Sequence, residues 1–196
     1  MGTRTHAYME HSITPADITG VPHLLNRNVP ATTDIEAYWR RNDPDQTPRS
    51  STWCREWNAD ADLTADSMRD GVAEIAAGSS RVTFYPRVAL LSFSARWRGF
   101  LTIQSMRDVH RRLAHQLAGT LESPRLIWVP DFFERGFDIA TNGSLNDIHS
   151  SLLADWGQPQ AIESISPTVV AQCDQCPPDV WYIESTPYSL ANVNAR

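Results

Sequence analysis

Apolar residues recur along the chain with two different periods, and the change from one to the other separates helical from extended stretches. Ile103, Met106, Val109, Leu113, Leu117 and Leu121 lie three or four residues apart and form one stripe of an amphipathic helix. The segment 145–156 repeats the pattern with Leu145, Ile148, Leu152 and Trp156, opened by a Ser144/Asp147 capping box and closed by Gly157 and Pro159. Between these helices and before them the period drops to two. Ala89, Leu91, Phe93, Ala95 and Trp97 alternate with Ser92, Ser94, Arg96 and Arg98, a strand with one buried face, and Pro86 divides the stretch into two strands. "RLIWVPDFF" reads as a short buried strand, and "SPTVVAQ" and "DVWYIES" as two more on either side of a cysteine-bearing loop.

Upstream, three helices are expected. "ITPADITG" has Thr14 as a cap and Pro15 at the first helical position. "TTDIEAYWRRN" offers a Thr33/Glu36 capping box. "LTADSMRDGVAEIAAG" places Leu63, Met68, Val72 and Ile75 on one side, with Gly78 as a stop. The pattern predicts an α+β domain: short N-terminal helices packed on a mixed or antiparallel sheet with two amphipathic helices, in the order α-α-α-β-β-α-β-α-β-β. A parallel βαβ core is the rival arrangement. Residues 1–13 read as a flexible arm, 14–185 as one domain and 186–196 as a tail.

Composition adds exclusions. The 196 residues carry a net charge of −6, which weighs against nucleic acid as a partner and leaves a basic protein partner open. All 17 cationic residues are arginines, so no Schiff-base lysine, P-loop lysine or lysine general base is available. The first residues lack the apolar core of a secretory signal, and no run of eighteen apolar residues occurs. The expected location is the cytoplasm, where thiols stay reduced.

The candidate chemistry is sparse. Cys173 and Cys176 form a C-x-x-C turn that, with Cys54, supplies three thiolates toward a zinc site; the plain alternative is a turn bearing free thiols. His110 and His149 fall within the two apolar stripes. If their helices share a side of the sheet, the rings can form an acid–base or metal pair; otherwise each is a satisfied core residue. Asp131, Glu134 and Asp138 follow a strand end, where general acid–base groups or metal ligands are often built, but an acidic loop in water has the same composition. Arg96 and Arg98 are candidates for binding an anionic small molecule. The motifs G-x-G-x-x-G, H-E-x-x-H and G-x-S-x-G are missing from the chain.

These features predict a non-catalytic, acidic, cytoplasmic bacterial protein, without cofactor, that binds a protein partner in the manner of an immunity protein or antitoxin. Trp39, Trp53 and Trp57 are its expected anchors, and Asp60, Asp62 and Asp66 the charges that steer a basic partner inward. The alternative is an enzyme or metal-binding protein using the histidines and the 131–138 loop, or the cysteines.

Overall fold

The computed structural model describes residues 4–30, 32–42, 56–59, 61–131, 133, 135–163 and 180–186. Its frame is a seven-stranded, fully antiparallel sheet in the order β2-β3-β4-β5-β1-β6-β7, with helices on both faces. The strands are β1 (Arg4–Glu10), β2 (Asn58–Ala59), β3 (Ala73–Ala77), β4 (Ser80–Phe84), β5 (Val88–Arg96), β6 (Arg125–Pro130) and β7 (Tyr182–Ser185). The helices are α1 (Val21–Asn28), α2 (Thr32–Asn42), α3 (Ala65–Arg69), α4 (Trp97–Thr102), α5 (Gln104–Thr120), α6 (Arg135–Asn142) and α7 (Leu145–Trp156). The chain is α+β, and antiparallel pairing throughout removes the parallel alternative.

The predicted N-terminal arm is instead the centre of the sheet. β1 pairs with β5 over its whole length and with β6 through Thr5–Tyr8, and residues 5–9 are buried. A strand buried on both sides shows little polar contrast between its faces, so period-two reading passes over it. Thr186, expected to begin the tail, is buried too: its N–H donates to the Pro124 carbonyl and its hydroxyl to that of Ser123.

The first face of the sheet is the larger core. Ala7, Met9, Leu91, Phe93, Leu126, Trp128 and Tyr182 point into it, and α5 lays Met106, Leu113 and Leu117 over them. Each such aliphatic side chain contributes ~1.5–3 kcal/mol. Phe100, Trp128 and Tyr182 stack with interplanar angles of 28°, 11° and 17°, and Trp97 stacks on Phe100 at 10°. Trp97, expected at the end of a strand, opens α4 and keeps its buried side. Ile103, expected in the stripe of α5, precedes that helix and is 43% exposed.

The predicted helix over 63–78 divides. α3 keeps the Thr64 cap for five residues, Gly71 turns the chain at φ +68°, and Ala73, Ile75 and Ala77 then alternate as β3. A Cβ at Gly71 would lie 2.5 Å from the Tyr85 ring, so the turn needs glycine for space as well as for its backbone angle. Ala73–Ala77 suits either period, and pairing with β4 selects the strand. Val72, assigned to the apolar side of that helix, is 61% exposed. In α2, the Thr33 hydroxyl donates to the Pro30 carbonyl and Glu36 pairs with Arg40. The Ser144/Asp147 box at α7 forms as read.

Candidate functional site

The two stripe histidines lie on opposite faces of the sheet. His110 on α5 is fully buried in the first core, its ring edge-on to Phe93 at 4.6 Å. Its Nδ1 lies 2.7 Å from the Met106 carbonyl, which can only accept, so Nδ1 carries the proton and Nε2 is the bare lone pair. Burial lowers its pKa to about 4, against a smaller opposing contribution from that hydrogen bond. His149 on α7 is half-buried on the second face against Trp181, at 5.6 Å between ring centres. Burial, and then the nearby Arg125 charge, lower its pKa. The sheet between them rules out a shared site.

The expected acidic loop also takes another form. Residues 135–142 are α6, although Gly136 and the β-branched Ile139 and Thr141 are poor helix formers. Phe133, Gly136 and Ala140 bury against the sheet, and Gly136 gives passage to the Tyr8 hydroxyl, which has no hydrogen-bond partner among the described residues. The spacing 133–136–140 was the legible signal for this helix. Asp138 is exposed in its first turn. Asp131, half-buried, donates its N–H to the Arg4 carbonyl, and its charge acts on His6 rather than on His110 or His149. Glu134 lies outside the described residues, as do Cys54, Cys173 and Cys176.

Of the expected anchors, Trp57 belongs to the core. It is 1% exposed, its indole N–H donates to the Val29 carbonyl at 3.2 Å, and its backbone exchanges two hydrogen bonds with the Asn26 side chain. Trp39 is half-buried against the same core. Asp62 is exposed, and Asp66 pairs with Arg69 in water. Trp53 and Asp60 lie outside the described residues. The N-terminal tryptophan surface is therefore not a patch of exposed rings around Trp57.

What the fold does expose is half of the second face. Over β1, β6 and β7 that face carries Tyr8, Ile127, Val129 and Ile183, and α6 and α7 cover it. Over β3, β4 and β5 it carries Glu74, Ala76, Arg81, Thr83, Ser92 and Ser94. These residues line a cavity of about 490 Å³ walled on one side by α6 through Phe137. The register lines the groups up in rows: Ala76, Arg81, Ser92 and His6 across four strands, and beside them Glu74, Thr83, Leu90 and Tyr8. Glu74 accepts from Thr83 at 3.3 Å and pairs with Arg81 at 3.1 Å.

His6 closes the inner end of this cavity. It is 6% exposed, its ring stands edge-on to Phe137 at 5.8 Å, and no hydrogen bond reaches it among the described residues. Burial lowers its pKa to about 4; Asp131 opposes that shift and Arg4 adds to it. The ring is thus neutral, able to donate from one nitrogen and accept at the other. Phe137 is 37% exposed on the opposite wall. Arg4 stands beside His6 on the cavity lining, and past a register shift between Arg4 and Thr5 its cross-strand partner is Arg96, which stands outside that lining. Sequence reading paired Arg96 with Arg98; the register pairs it with Arg4.

A second polar group is ion-paired on both sides. Glu184 on β7 is buried between Arg111, whose Nε lies 2.6 Å from Oε1 off the line of a good hydrogen bond, and His115, whose Nε2 lies 2.8 Å from Oε2. The cluster ties α5 to the edge strand. Among the described residues no helix is long and apolar enough to cross a membrane, and no three side chains of the His, Cys, Asp and Glu type gather as metal ligands. No family model, curated protein or solved structure matches this chain.

Proposed function

We propose that the protein acts in the cytoplasm by non-catalytic recognition of a partner protein, in the manner of an immunity protein or antitoxin, and that its contact surface is the open half of the second sheet face. One observation carries this reading: a single face is apolar and covered over three strands but polar and open over the next three, with Phe137 exposed at the boundary. A mixed polar floor with one aromatic residue at its rim is the composition of a recognition surface, in which the ring anchors and the polar groups set register. The net charge of −6 steers a basic partner toward the molecule. The anchor moves accordingly from Trp57, which is buried, to Phe137.

Photo-crosslinking tests this, and suits a chain without lysine. A benzophenone side chain placed at Ser94 or Arg81 in the open half is expected to capture one protein from the producing cell, identified by mass spectrometry, with Phe137→Asp abolishing capture. The same group at the exposed Arg27 or Ser150 is expected to capture nothing specific. Equal capture from all four positions, or none from Ser94 and Arg81, rejects the proposal.

A further inference from the structure

We propose that the Arg4–Arg96 pair beside the open cavity is a carboxylate site, the place where a partner protein seats one Asp, Glu or C-terminal carboxylate; this rests on the recognition reading above. Arg4 and Arg96 are cross-strand partners across a register shift between Arg4 and Thr5; Arg4 lines the cavity next to His6, while Arg96, two residues beyond the lining residue Ser94 on β5, stands outside the lining. Like charges directly opposite one another on a sheet destabilise it unless a counter-ion lies between them. Among the described residues neither arginine carries an ion pair. Of the nearby carboxylates, Glu74 is held by Arg81, and Asp131 acts on His6.

A second observation points to the same spot. The ring of His6, 6% exposed, lines the cavity and has no hydrogen bond among the described residues, so its donor and acceptor nitrogens are left for whatever enters the cavity. Two guanidinium forks with a neutral imidazole and the Ser94 hydroxyl beside them are suited to a carboxylate, which accepts up to four hydrogen bonds and suits the planar arginine fork. Phe137, across the cavity, offers an apolar surface to the stem carrying that carboxylate. Charge complementarity selects the occupant. On a chain of net charge −6, an isolated cationic pair cannot attract a basic partner, but it fixes the register of one that presents a single carboxylate among its positive charges.

The probe is sodium benzoate, with benzylammonium chloride and sodium chloride at matched ionic strength as controls. It is titrated into protein labelled with ¹⁵N at arginine, and the Nε–Hε signals of Arg4 and Arg96 are assigned from Arg4→Gln and Arg96→Gln. Benzoate is expected to move both signals with one shared, millimolar Kd, as a fragment of a larger contact does, and either substitution is expected to weaken binding about tenfold or more. The controls are expected to move neither signal. Equal movement at Arg69 and Arg135, or none at Arg4 and Arg96, overturns the proposal. A Kd below about 10 µM for benzoate alone assigns the site to a free small acid and overturns the partner as source. In the crosslinking assay, capture at Ser94 that survives Arg4→Gln/Arg96→Gln overturns the carboxylate site while recognition stands. Failure of capture from the whole open half removes recognition itself, and with it the partner as the source of the carboxylate.

Discussion

The two halves of the second sheet face belong to one continuous sheet, yet they serve different ends. Over β6 and β1, Ile127, Val129 and Tyr8 give α6 and α7 something to bury, and the helices settle there. One strand further the rows continue as Ser92 and Leu90 on β5, then Arg81 and Thr83 on β4 and Ala76 and Glu74 on β3, and no helix follows among the described residues. A sheet face is covered where its side chains repay desolvation by dispersion and apolar burial, and stays open where water already satisfies them. The boundary runs through His6 and Leu90, and the one exposed aromatic ring of α6, Phe137, stands over it.

That comparison can be broken by experiment, beginning where the effect is largest. Ile148→Ala or Ile127→Ala, in the covered half, is expected to lower unfolding free energy by ~2–5 kcal/mol in urea denaturation. A loss below about 1 kcal/mol would mean that α7 is not held by this contact.

Acid comes next. His6 and His110 titrate near pH 4 in the folded protein, whereas in the unfolded chain they take up protons near pH 6.5. The unfolded state therefore binds more protons in that window, so the stability from these rings is complete above pH 6.5 and is lost as pH falls toward 4. The expected loss is on the order of 3 kcal/mol for each ring. His6→Asn should reduce the pH dependence measured by denaturant midpoint between pH 6.5 and 4, with the depressed His11, His110 and His149 left to supply the rest; an unchanged slope would show that His6 is solvated.

Smaller still is Gly136→Ala, which drives a methyl group into the Tyr8 hydroxyl and the Phe133 ring and is expected to cost ~1–3 kcal/mol by overpacking. At the bottom of the scale lies the open half, where Ser94→Ala should change stability by no more than about 0.5 kcal/mol in the same assay. If the serine proved as costly as Gly136, the open half would be a structural surface and the division drawn here would fail.

Much of this fold was legible in order of contrast. α5 and α7 have wide apolar stripes and, for α7, a capping box, and each lies within a residue or two of its expected place. The break at Pro86 separates β4 from β5 as read. Elements with little contrast were misread: β1 because both its faces are buried, β3 because alanines suit either period, α6 because a glycine and β-branched residues hide a helix that packing supports. Of the candidate site, Arg96 was legible as a cation on the polar face of a strand. His6 and Arg4 were not, because nothing in "RTHAYME" announces a central strand.

The sequence alone determined the antagonism of surfaces: which residues of each strong helix and strand seek the interior, the excess of carboxylates, and a cationic chemistry that is arginine throughout. Those follow from local period and composition, which need no partner to express themselves. Only the tertiary structure decided that residues 4–10 thread between β5 and β6, that His110 and His149 are parted by the sheet, and that Arg4 meets Arg96. These are consequences of register between segments about ninety residues apart, and local spacing carries no information about which distant strand supplies the neighbour.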